Sequence, residues 1–399
     1  MGVEDTGAAQ ALLSLLKASL AGERVSLDGE ALEQVLPLAR AHAVVSLLYE
    51  PLAPLPEEPA GPWLELRRKA QQCAVQYYRL LTVTKHWVDV FARSGIPTAV
   101  LKGAGAAMAY PVPEMRKSGD IDLLLLREED FPAARELLLA EGATLAPDQH
   151  ARHHVGFLLP QGMELELHLQ LTEDFGDCRA DARLKALQQE LAAGAASREV
   201  FPRVSLPLLP EGGQALSLLL HMLSHFRGSG FGLKLLCDWT AFWRQTVSEE
   251  AVGWYLQVIA ECGLEGFSAG VTRVCVDALG LPEDRVRPLL EQAEVSPGTS
   301  DALLEEVLRS EEFGKTGEGR LVLVRTPGPA GYIREFHRQT GRNFPRAVKC
   351  PLLWPGLWSA TLVRFLHNNH RLRGVSAKAV LHSASDRGKL ARQLHLFHS

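Results

Sequence analysis

Two aspartates separated by one residue, Asp120 and Asp122, open the apolar stretch DIDLLLL, and further along MELELHLQL places Glu164, Glu166 and His168 at the same alternate spacing. Side chains alternate in an extended chain, so each set shares one face, with Ile121, Leu165 and Leu167 on the other. Carboxylates held side by side repel, and each raises the cost of ionising its neighbour. If the two segments are neighbouring strands, Glu164 or Glu166 joins Asp120 and Asp122 in a cluster of three or four carboxylates. Such a cluster suits a hard divalent cation, which prefers carboxylate oxygen and is commonly shared with substrate phosphates. Without the metal, removing one aspartate is expected to relieve repulsion and leave the fold intact or more stable.

The other half of such a site must hold phosphate. VLKGAGAA puts Lys102 and Gly103 at the end of a strand and the start of a helix. Free backbone N–H groups there bind anions, and glycine permits close approach. Histidines are the remaining candidates. His221 and His225 lie four apart on a helical stretch but lack the intervening glutamate of a zinc-protease motif, so they read as packing residues, as do His153 and His154. His168 shares the acidic face and is placed to orient a carboxylate or an acceptor.

The elements that must position these residues follow from periodicity. Apolar positions three and four apart predict helix over much of residues 8–50, a Pro-rich loop follows at 51–62, and a long helix runs from Trp63 to Gly95. The character then changes. Residues 98–103 read as a short buried strand, 104–110 as a brief helix, the Asp-Ile-Asp segment as a second strand and 127–142 as a helix. Residues 153–160 and 163–171 are two strands joined at Gln161-Gly162. From about 212 to 308 the pattern is helical again.

Composition excludes several classes. With 46% hydrophobic and 22% charged residues the 399-residue chain is of ordinary globular type. The longest uncharged apolar run near the C-terminus, 350–363, is too short to span a bilayer and contains two prolines, and Glu4 and Asp5 argue against a secretory leader. The six cysteines are scattered without a C-x-x-C pair, which fits free thiols in a reducing cytoplasm. Charge is uneven. Residues 331–399 carry twelve Lys/Arg against two acidic residues, a local +10 that leaves −15 on the rest. A basic tail can bind an anionic partner such as nucleic acid. Its tryptophans, Trp354 and Trp358, favour packing back on the acidic body.

VLKGAGAAMAYPVPEMRKSGDIDLLL followed by MELELH resembles the DNA polymerase β-type nucleotidyltransferase superfamily, and within it the bacterial group of uncharacterised nucleotidyltransferases. The likeness is specific over residues 95–171 and looser over HMLSHFRGSGFGLKLLCDW at 221–239. The Arg116-x-Ser118-x-Asp120-Ile-Asp122-Leu spelling is also similar to the abortive-infection toxin nucleotidyltransferases. One departure is Gly103-Ala104, where the superfamily usually has Gly-Ser or Gly-Gly. The resemblance implies an α+β fold: an N-terminal helical region over 1–94, a small mixed-sheet nucleotidyltransferase core over 95–210, a helical domain over 211–320 and a basic region over 321–399. It implies a Mg²⁺- or Mn²⁺-dependent enzyme moving a nucleoside monophosphate from a nucleoside triphosphate (NTP) to an acceptor hydroxyl on a small molecule, protein or RNA. Asp120, Asp122 and Glu166 would hold the metals, and Lys102, Gly103, Ser118 and Lys234 the nucleotide. The alternative is a non-catalytic or toxin/antitoxin-like regulatory module that keeps the fold.

Overall fold

The computed structural model describes residues 3–150, 153–228, 230–310, 347–373 and 387–396, together with residues 333, 336, 337, 340, 341 and 344. Period-two hydrophobicity forms the centre of the chain. Strands β1 (Thr98–Val100), β2 (Asp120–Leu125), β3 (Thr144–His150), β4 (His154–Leu158), β5 (Glu164–His168), β6 (Ala196–Phe201) and β7 (Val204–Leu208) make one seven-stranded mixed sheet in the order β3-β4-β5-β2-β1-β7-β6. The central pair β2 and β5 is parallel, with Asp120 opposite Glu164, Asp122 opposite Glu166 and Leu124 opposite His168. β4 and β5 form the antiparallel hairpin expected at Gln161-Gly162, where Gly162 takes a φ of 72°.

Helices occupy the rest of the described chain. α1 (Val3–Ala21) and α2 (Gly29–Ala41) precede the long α3 (Pro62–Arg93), and α4 (Ala104–Ala107) and α5 (Phe131–Ala140) lie within the sheet region. α6 (Cys178–Gly194) leads into the last two strands. α7 (Glu211–Arg227), α8 (Leu233–Arg244), α9 (Glu249–Cys262), α10 (Glu265–Leu279), α11 (Glu283–Leu290) and α12 (Pro297–Ser310) follow. Four of these elements were absent from the expected set. β3, α6, β6 and β7 fill stretches that periodicity left unassigned, because β3 and β7 each contain a proline and β6 is an edge strand with a largely polar sequence.

The two faces of the sheet do different work. Ile121, Leu123 and Leu125 of β2 and Leu165 and Leu167 of β5 pack with Tyr77, Leu80, Trp87 and Phe91 of α3 and with Ala134 and Leu138 of α5 in one hydrophobic core. The opposite face carries the acidic residues. A second, larger core joins the N-terminal helices to α7–α12 and includes Leu390, Leu394 and Leu396. α3 contributes to both, with Leu66 and Ala70 in the larger core and its second half against the sheet.

Candidate active site

The strand register brings the carboxylates together without help from any loop. Since β2 and β5 are parallel and in step, Asp122 and Glu166 stand side by side and His168 lies one pleat further on the same face. His168 Nε2 is 3.0 Å from Asp122 Oδ1 and 3.3 Å from Glu166 Oε2. Ligand atoms of Asp122, Glu166 and His168 all fall within 4.8 Å of one another, a spacing one metal ion can bridge. Asp120 lies outside that group, at the start of β2 on the same face and opposite Glu164. All five residues border a cleft of about 930 Å³ whose lining also includes Ser217, His221 and Ser224 of α7 and Lys234 of α8.

Lys102 supplies the local counter-charge. Its Nζ is 2.8 Å from Asp122 Oδ1, and the Asp122 side chain is only 1% exposed. Burial works against an ionised Asp122, but Lys102 and the hydrogen bond from His168 outweigh it and hold the carboxyl well below the usual range. Asp120 moves the other way, raised chiefly by repulsion from Asp122 and then by burial, with Lys102 and Lys234 opposing. Burial depresses His168, and its bonds to Asp122 and Glu166 reverse this and raise it. Glu166 is lowered, as the hydrogen bond from His168 offsets the effect of burial. The opening repulsion is therefore already partly neutralised by the protein itself.

The donor set also fits a cation. Asp122 Oδ2 is buried with no hydrogen-bond partner among the described residues, an acceptor that a bound ion would satisfy. Two carboxylates and an imidazole are ordinary ligands for divalent metals.

On the phosphate side, Gly103 precedes α4 with φ 61° and ψ −119°, a conformation that L side chains avoid. A Cβ there would also lie in van der Waals contact with the Asp120 carbonyl, at 3.4 Å. Lys102 and Gly103 border the cleft, and Lys234 reaches it from the first turn of α8. Ser118 does not border it: the residue is buried and its hydroxyl accepts a hydrogen bond from Arg116.

Arg116 is the feature that sequence reasoning left unassigned. Fully enclosed, it makes a bidentate pair with Asp238 of α8, at 2.7 Å and 2.8 Å, and donates to the Gly103 carbonyl at 3.4 Å. The Tyr110 hydroxyl donates to the same aspartate at 2.6 Å. This network ties the Lys-Gly turn and the Asp-x-Asp strand to the helical wall. Both halves were visible, Arg116 in the Arg-x-Ser motif and Asp238 in the Asp-Trp segment, but their pairing spans the chain and leaves no local trace.

The histidines cluster at the rim. His153 and His154 touch, Nε2 to Nδ1, at 3.0 Å, and His154 is 4.0 Å from Glu166. Burial, then the neighbouring imidazoles, push His153 down to about 4. His221 and His225 stack edge-to-face on α7 and line the opposite wall. Only part of the basic C-terminal region lies within the described residues. Of its twelve basic residues, only Arg387, Lys389 and Arg392 have described side chains, so the nucleic-acid reading rests mainly on side chains outside the description. Among the described residues no helix is long and apolar enough to cross a membrane.

Comparison with known proteins agrees with the geometry. No curated protein matches the chain. The sequence pattern described as "Uncharacterised nucleotidyltransferase" matches residues 28–280, which span α2 to α10 and hold the whole sheet and both walls of the cleft. With more than half of its length matched, and with a mixed-sheet α+β fold around an acidic cleft, the chain belongs to the uncharacterised nucleotidyltransferase family.

Proposed function

We propose that the protein is a metal-dependent nucleotidyltransferase that moves a nucleoside monophosphate from an NTP to an acceptor hydroxyl. The observation that carries this reading is the in-register pairing of Asp122 with Glu166, with an unpartnered buried Asp122 oxygen, at the floor of a cleft that also receives Lys102 and Lys234. In the reaction the acceptor oxygen bonds to the α-phosphorus, the bond from that phosphorus to the bridging oxygen breaks, and pyrophosphate leaves with the electron pair. Bound Mg²⁺ or Mn²⁺ would neutralise the triphosphate and favour ionisation of the attacking hydroxyl. Asp120, Asp122 and Glu166 would hold the metal, with His168 orienting the two inner carboxylates. Lys102, Gly103 and Lys234 would receive phosphate oxygens, and Lys102 must exchange Asp122 for phosphate as the nucleotide arrives. Ser118 serves this set indirectly, through Arg116.

The test is incubation of the purified protein with each labelled NTP, Mg²⁺ or Mn²⁺ and a cell extract, alongside calorimetric titration with metal. Label transferred by wild type and lost in Asp122→Asn supports the reading. Unchanged transfer in that variant removes Asp122 from the mechanism. A second reading, a regulatory module without turnover, is favoured by Ala104 at the turn and by a lysine already seated on Asp122. Nucleotide binding without transfer to any extract component, by a protein that binds metal weakly, would favour it.

A further inference from the structure

Lys234 enters the cleft from the second residue of α8, so its place depends on how the chain passes from α7 to α8. That connection is held at several points. The Gly228 amide closes α7 on the carbonyls of Ser224 and His225, and the Leu233 amide donates to buried His42 Nδ1 at 3.2 Å. A further contact comes from far along the chain. Arg387, 5% exposed, donates to the Gly228 carbonyl at 3.0 Å and to Ser310 Oγ at 3.4 Å, and its Nε hydrogen-bonds the carboxylate of Glu306. Gly230 passes so close that a Cβ would sit 2.1 Å from Ser310 Oγ and 3.0 Å from an Arg387 nitrogen.

The segment bearing Arg387 has a prepared seat. Leu390, Leu394 and Leu396 are buried in the larger core, and α10 makes room with glycines. A Cβ on Gly266 would lie 2.2 Å from the Leu394 carbonyl oxygen, and one on Gly270 2.4 Å from Leu394 Cδ2. Arg387 and Glu306 both lie beyond residues 28–280, the part that the family pattern covers. An ion pair so deeply buried adds little net stability over apolar packing, since desolvation offsets its attraction. What it adds is a fixed geometry for the Gly228 carbonyl.

We propose that Arg387 is a positioning residue for the nucleotide site: by gripping the Gly228 carbonyl it fixes the start of α8 and holds Lys234 at the cleft, where NTP phosphates bind. The C-terminal segment is thus a working part of the nucleotide site. This rests on the reading of Lys234 as a phosphate contact.

The experiment uses the full-length protein and titrates fluorescent analogues of each NTP in the presence of Mn²⁺. Arg387→Ala is expected to weaken binding about fivefold or more, Lys234→Ala comparably, and the double variant no further than the weaker single one. Leu394→Ala, in the same segment but without contact to Gly228, is expected to lower the melting temperature and leave affinity unchanged. Arg387→Lys keeps a charge for Glu306, so it tests the idea if the alanine variant does not fold, and it should weaken binding in the same direction. Additive losses in the double variant, or an equal loss in Leu394→Ala, would overturn the proposal and leave a purely stabilising segment. If wild type binds no nucleotide, the functional reading fails by itself. Hydrogen exchange then decides the clamp: faster exchange of the Leu233 and Lys234 amides in Arg387→Ala than in Leu394→Ala upholds it, and equal exchange refutes it.

Discussion

Asp122 carries most of the proposed chemistry and sets much of the local electrostatics. Sequence alone suggests that losing an aspartate relieves repulsion, but the Lys102 contact and the His168 bond correct that expectation, since Asp122→Asn leaves a half-buried ammonium and a buried imidazole without their main counter-charge. The metal-free variant is expected to be less stable by about 3 kcal/mol, measured by denaturant unfolding, and to lose nucleotidyl transfer. The pH dependence has two limbs. Asp122 has a folded pKa below its unfolded value of about 3.9, so its contribution is present above that value and lost as pH falls through the folded pKa. His168 has a folded pKa above its unfolded value of about 6.5, so its contribution is present below that pH and lost as pH rises through the folded pKa. His153, pushed down to about 4, and the likewise depressed His42, His154 and His221 work against the folded state on the acid side, because the unfolded chain takes up their protons first. Metal-free protein should therefore be most stable near neutral pH. The alkaline decline should vanish in His168→Gln, and a decline of the same size in that variant would assign it to another group.

At the level of elements, Gly103 and Arg116 make sharper tests than the strands themselves. Gly103→Ala places a side chain in a backbone region that only glycine visits easily and against the Asp120 carbonyl. The expected cost is about 1–3 kcal/mol, with a higher KM for NTP, because the Lys-Gly turn must shift. Arg116→Lys cannot reproduce a planar bidentate pair with Asp238. It should lower the melting temperature and separate the turn from α8, and an unchanged melting temperature would show that the pair contributes nothing. These elements were legible to very different degrees. The alternation in ELELH and the Asp-x-Asp spelling specified both central strands and the face that carries the acids, because period two is a local signal. Glu166 was singled out over Glu164 only through the resemblance, and the parallel register with Asp122 gives the physical reason. β3 and β6 were hidden because they are the sheet's edges, where proline and polar residues are tolerated, and β7 because Pro207 interrupts its short run. The roles of Ser118 and Arg116 were hidden because both depend on Asp238, a partner fixed only by tertiary folding.

Across the whole molecule, α3 is the common beam. Its 32 residues, about 48 Å long at helical rise, reach from the larger core to the sheet, so one helix belongs to both. A fragment that begins at residue 95 would bare the sheet face that Tyr77, Leu80, Trp87 and Phe91 cover, and is expected to aggregate on expression while the full chain does not. The same breadth of contact has a temporal side. β2 and β5 are neighbours in space, yet α5, β3 and β4 lie between them in the chain, and a parallel pair cannot close before that excursion has found its place. Entropy lost in closing so long a loop is repaid only once the strands are joined, which makes such pairings slow to form. The candidate cation pocket should accordingly mature late. In refolding followed by stopped flow, recovery of Mn²⁺ binding should coincide with the final gain of amide protection in the central strands, so that metal affinity serves as a clock for completion of the sheet.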